Sequence, residues 1–162
     1  MKKGEMMMGK VEERLEAAGI VLPEVPVPLA AYVPGVVSGK MVYTSGQLPM
    51  ASGSLAYKGR LGEDASVEEG YAAARQCAVN CLGVLKSLLG DLDRVTRVVK
   101  VVGFVNSAAD FEGQPKVLNG ASELLQTAFG DAGVHARSAV GVSSLPLGAM
   151  CEVEIAVEYH DW

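Results

Sequence analysis

The chain has 162 residues, enough for one domain with a sizeable core. It is 49% apolar and 20% charged with a net charge of −5, so it should fold, and it argues against nucleic acid, which calls for a basic surface. No run approaches the roughly 18 apolar residues of a membrane span, and three cysteines (Cys77, Cys81 and Cys151) without a secretory signal fit free thiols in a reducing cytosol.

The opening MKKGEMMMGK lacks the apolar core of a targeting signal and reads as a disordered leader. Lys10 to Ala18 reads as a short amphipathic helix with Val11, Leu15 and Ala18 as its stripe, stopped by Gly19. Residues 1–19 are therefore taken as leader and short helix, and 20–162 as one domain. Prolines 23, 26, 28 and 34 forbid a helix and favour an extended arm, which carries Tyr32. Val36–Val37, a Gly39-Lys40 turn and Met41–Ser45 predict a hairpin, ended by Gly46-Gln-Leu-Pro49. Residues 51–62 are glycine-punctuated, with room for a short strand near Leu55–Lys58.

Ser66 to Leu89 is the clearest helix. Ser66-Val-Glu-Glu69 matches a capping box, and Tyr71, Ala74, Ala78, Cys81, Leu85 and Leu88 recur at helical steps before Gly90. Val95 to Asn106 is a β-branched strand, apolar on both faces. Strict alternation puts Val99, Val101 and Val105 on one face and Val98, Val102 and Phe104 on the other. A turn through Asp110 precedes a second long helix, roughly Gln114 to Phe129, ended by Gly130. Two strands close the chain, Ala136–Val142 and Met150–Tyr159, joined by a turn through 143–148. Right-handed crossovers predict both long helices on one face of the sheet. The other face is left without cover from this chain, and a further copy is the economical cover for it.

The closing strands hold the candidate chemistry. Arg137 stands alone among small residues; a forked guanidinium suits a planar carboxylate, but spacing alone favours a salt bridge or an exposed strand charge. Glu152 and Glu154 share a face with Glu158, which reads first as a solvated face and second as a place for proton traffic. Ser45 ends a strand without the G-x-S-x-G of a nucleophile elbow. Tyr32 could close over a pocket or pack on a neighbour, and Asn119 reads as a solvent-facing helical residue. Cys77 and Cys81 are four apart but have no Cys/His cluster to complete a metal site, so both read as small core residues. His135 and His160 lack zinc-hydrolase spacing, and no phosphate-binding glycine motif occurs. No metal and no organic cofactor is implied.

Four blocks resemble the YjgF/RidA family of reactive-intermediate deaminases. They are Ala31-Tyr-Val-Pro-Gly35; Met41-Val-Tyr-Thr-Ser-Gly-Gln-Leu-Pro49; Val99 to Phe111; and Ala136-Arg-Ser-Ala-Val-Gly-Val-Ser-Ser-Leu-Pro146 with Cys151-Glu-Val-Glu-Ile-Ala-Val157. The resemblance covers roughly residues 27–159. It implies an α+β, chorismate-mutase-like fold, a mixed sheet with two long helices on one face, assembled as a homotrimer with sites in clefts between subunits. It also implies that Arg137 binds a substrate carboxylate and that Glu152 positions or protonates. Tyr32, Ser45, Gly46 and Asn119 would line the cleft. The N-terminal extension and a longer 112–117 segment resemble a longer branch of the family.

The expected activity is hydrolysis of a 2-imino or enamine acid, such as 2-aminoacrylate or 2-iminopropionate, to a 2-keto acid and ammonia, in the cytoplasm and without a metal. The alternatives are a binding protein for a keto acid or other small carboxylate, and, behind it, a ribonuclease or chaperone-like protein.

Overall fold

The computed structural model describes residues 8–25 and 30–162. The first seven residues of the expected leader and residues 26–29 of the arm lie outside the described residues.

Helix α1 spans Lys10–Ala17. Its first turn is capped from far away: the backbone N–H groups of Lys10 and Val11 donate to the two Asp93 carboxylate oxygens, each at 2.8 Å. A carboxylate at that end also complements the helix dipole. Arg14 donates to the Ala128 carbonyl and Lys86 pairs with Glu12, while Val11, Leu15 and Ile20 join the main core.

Strands β1 (Gly35–Ser38) and β2 (Met41–Thr44) form the expected hairpin, with Gly39 at φ +59° in its turn. A small second hairpin pairs β3 (Met50–Ala51) with β4 (Ser54–Leu55), and β4 overlaps the predicted short strand only at Leu55. Helix α2 (Val67–Leu89) begins on the capping box as read, with Ser66 and Glu69 bonding reciprocally. Strand β5 (Val95–Asn106), helix α3 (Gln114–Phe129), strand β6 (Ala136–Val142) and strand β7 (Cys151–Tyr159) complete the chain.

The five long strands form one mixed sheet in the order β1-β2-β7-β5-β6, antiparallel except for the β5–β6 pair. Helices α2 and α3 cover one face, burying Val42, Val98, Val101, Val105, Val153, Ile155 and Val157 beneath them. The helices approach closely because α3 carries Gly120, where an added Cβ would overlap the Tyr71 carbonyl of α2. The opposite face is open, with Val36, Tyr43, Val99 and Val140 exposed on it.

One face assignment changes. Register shifts between Val95 and Arg97 and between Val98 and Lys100 each insert one extra residue into β5. A bulge breaks the two-residue period. Val98 therefore turns under the helices with Val101 and Val105, and Val99 turns out.

Candidate active site

The sheet order decides where the candidate residues go. β6 and β7 are consecutive in the chain, yet β5 lies between them. Arg137 pairs with Val101, a residue buried under the helices, so the Arg137 side chain leaves β6 toward α3. Glu152 pairs with Phe104 and belongs to the open face. Arg137 and Glu152 thus leave the sheet on opposite sides, and among the described residues no hydrogen bond or ion pair joins them.

The candidate residues fall into two groups. Around Arg137, Nη1 donates to Asn119 Oδ1 at 2.9 Å and to Ser122 Oγ at 3.1 Å, and Nη2 reaches the Pro115 carbonyl at 3.4 Å. Asn119 is thus a half-buried partner of the guanidinium rather than a solvent-facing residue. Ser122 in turn contacts His135 Nε2 at 2.8 Å. Sequence reasoning missed both Ser122 and His135. Helical spacing puts Ser122 one turn beyond Asn119, and strand parity puts His135 on the side of Arg137, so the signal was present.

The second group lies where β2 runs out beside β7. Ser45 Oγ donates to the Val33 carbonyl at 2.6 Å and Ser45 N to the Pro34 carbonyl at 2.7 Å, which ties the arm carrying exposed Tyr32 to the end of β2. Gln47 and Val153 exchange backbone hydrogen bonds of 2.8 and 3.0 Å. Asn80, buried on α2, donates to the Leu48 and Met50 carbonyls and fixes the chain beyond. In this frame Gly46 lies directly against the Glu152 carboxylate, with no room for a side chain between them. Burial, and then the neighbouring Glu154 charge, raise the Glu152 carboxyl above its ordinary range. Ser45, Gly46 and Glu152 therefore share one end of the open side, with the arm that carries Tyr32 tied to Ser45, and Asn119 and Arg137 share the α3–β6 edge.

The three cysteines are buried, with Cys77 and Cys151 sulfurs 3.6 Å apart. Burial pushes the Cys81 thiol up to about 12 and Cys77 well above its ordinary value, so neither is a thiolate at neutral pH. Among the described residues no group of three or more His, Cys, Asp or Glu side chains is placed to hold a metal. Nor is any described helix long and apolar enough to cross a membrane.

A mixed sheet of this order, with two long helices on one face, defines a chorismate-mutase-like α+β protein. The model of the YjgF/chorismate mutase-like family, described as "putative endoribonuclease", matches residues 12–159, and the chain belongs to that family. Protein TCP17 of Trypanosoma cruzi is 46% identical over 154 residues, 94% of this chain and 96% of that one. Among solved structures, a protein of unknown function from Agrobacterium tumefaciens is 46% identical with a TM-score of 0.88, covering 93% of this chain and 92% of that one. The YjgF gene product of E. coli is 28% identical with a TM-score of 0.62, covering 85% and 94%.

Proposed function

We propose that the protein hydrolyses small 2-imino or enamine acids to 2-keto acids and ammonia, in clefts between the subunits of a homotrimer. The observation that carries this reading is the state of Arg137. Its guanidinium is held on one side by Asn119 and Ser122, while its Nε has no partner among the described residues. A guanidinium fixed on one edge offers the other to a planar carboxylate.

The chemistry asks little more. Water adds to the electrophilic imine carbon and the nitrogen takes a proton. The new hydroxyl then gives up its proton, which passes to the amino nitrogen as the C–N bond breaks, leaving a carbonyl and ammonia. Glu152, with its raised carboxyl and its place against Gly46, is suited to carry those protons. A positioned acid–base group of this kind contributes about 10²–10⁴-fold. Since Arg137 and Glu152 leave one sheet on opposite sides, a site using both takes them from different subunits.

A second reading has its own support. The Arg137 group is complete within one chain and needs no Glu152, so it would serve equally to bind a small carboxylate without turnover. The ribonuclease sense of the family description finds less support in a chain of net charge −5.

The deciding experiment follows ammonia release from 2-iminopropionate, generated in situ by an amino-acid oxidase. The wild type should exceed the buffer rate, and Arg137→Ala should lose roughly 30- to 5,000-fold of the wild-type kcat/KM, since loss of one partner of a charged pair costs on the order of 2–5 kcal/mol. A wild type that matches buffer, but binds 2-ketobutyrate in an Arg137-dependent way, would replace the deaminase with the binding protein.

A further inference from the structure

We infer that Ser122 and His135 are positioning residues for Arg137, forming with Asn119 a hydrogen-bonded brace that fixes which edge of the guanidinium meets a carboxylate ligand. This rests on the reading of Arg137 as the carboxylate-binding group, and holds whether that group serves turnover or binding alone.

The polarity of the brace follows from its end. His135 Nδ1 lies 2.6 Å from the Gly133 carbonyl oxygen. A carbonyl only accepts, so Nδ1 carries the proton. In the neutral ring Nε2 is then an acceptor, facing Ser122 Oγ at 2.8 Å. The Ser122 hydroxyl donates to it, and its oxygen accepts from Arg137 Nη1 at 3.1 Å. The same Nη1 donates to Asn119 Oδ1 at 2.9 Å. Both hydrogens of Nη1 are thereby used, and one hydrogen of Nη2 points to the Pro115 carbonyl at 3.4 Å.

What is left of the five donors is Nε–H and the outer Nη2–H, the side-on fork of a guanidinium. The neutral ring is the form that completes the chain. Burial, together with the Arg137 charge, opposes proton uptake by His135. Without the brace, the guanidinium could rotate about its terminal bonds and exchange the edge it presents. The ligand would then bear an ordering cost that the protein now meets in advance.

The positions are tied to the fold. Asn119 and Ser122 are one turn apart on α3, and His135 and Arg137 are two apart at the entrance to β6. Two packed elements thus aim four side chains at one point. The side-on fork suits a carboxylate with both oxygens in one plane, so 2-keto and 2-imino acids fit it better than their amides.

The test titrates 2-ketobutyrate, a keto acid that does not turn over, by ligand-observed NMR into the full chain. Ser122→Ala and His135→Leu are each expected to raise Kd about tenfold, as for loss of one hydrogen bond in a charged network. Ser122→Thr keeps the hydroxyl and His135→Gln keeps an acceptor near Nε2, so both should recover most of the affinity. With an imino-acid substrate the loss should fall on KM and leave kcat within about threefold, because the brace acts on binding geometry. Thermal melts establish that each variant is folded. Wild-type Kd values in both Ser122→Ala and His135→Leu, with Arg137→Ala binding lost, would overturn the brace while leaving the Arg137 reading intact. An Arg137→Ala variant that binds normally would overturn both.

Discussion

Replacing Gly46 by alanine separates the placement of Glu152 from the stability of the fold. A Cβ built at Gly46 comes to 2.0 Å from Glu152 Oε1, 2.8 Å from Cδ and 3.0 Å from Cγ, where ordinary contact begins near 3.4 Å. The backbone of Gly46 lies outside the left-handed region, so alanine adopts it without torsional strain. What gives way is the free end of a flexible side chain, and the carboxylate must swing by about 1.4 Å to reach ordinary contact. Stability should hardly fall, and restriction of the unfolded chain offsets part of any loss by about 0.4–1 kcal/mol. A catalytic group misplaced by that distance costs about 10²-fold. The assay is kcat/KM for 2-iminopropionate hydrolysis beside a thermal melt of the same sample. A melt within a few degrees of wild type with kcat/KM down about a hundredfold is the expected pair. Full activity in a folded Gly46→Ala would refute the role given to Glu152, whatever the fate of Arg137.

Two further predictions concern stability. Gly120→Ala meets backbone rather than a movable side chain, since its Cβ would overlap the Tyr71 carbonyl oxygen and approach Arg75 N at 3.2 Å. The helices must part, at a cost of about 1–3 kcal/mol, read as a melt lowered by several degrees; an unchanged melt would contradict the close packing of α2 on α3. Glu152→Gln should be slightly stabilising near pH 7. The folded carboxyl is raised above its ordinary 4.5, so the folded state holds the proton more tightly than the unfolded chain. Wild-type stability therefore declines as pH rises from the unfolded value through the folded one. The advantage of Glu152→Gln should be absent below that window and reach its full size above it, kept modest because the group is half exposed and screened. Paired melts between pH 4 and 7.5 check this, and an advantage that shrinks with rising pH would be wrong in sign.

Local signals carried most of the fold. The Ser66–Glu69 box and the 3.6-residue stripe marked α2 to within a residue, and the β-branched run from Val95 marked β5. The bulge that turns Val98 inward was hidden, because parity counting assumes an unbroken ladder. The cap on α1 was hidden as well: Asp93 lies 83 residues from Lys10, and nothing local announces the contact. The site was legible as residue types and not as geometry. Arg137 and Glu152 stand close in the chain, which suggested a shared region. Only the insertion of β5 between their strands shows that one chain aims them apart. His135 has no metal-ligand spacing in the sequence. Its parity with Arg137, together with the step from Asn119 to Ser122, carried the information that mattered.

The proposed site takes Arg137 from one subunit and Glu152 from another. Mixing two inactive variants, Arg137→Ala and Glu152→Gln, tests it directly. The two are unfolded together, refolded at equal ratio, and assayed for ammonia release from 2-iminopropionate. With head-to-tail interfaces and random assembly, about one quarter of the interfaces join an intact Arg137 to an intact Glu152. Recovery of about a quarter of wild-type activity is expected from two preparations that have almost none alone. A mixture no more active than its better component, with mixed oligomers shown to have formed, would contradict the shared site.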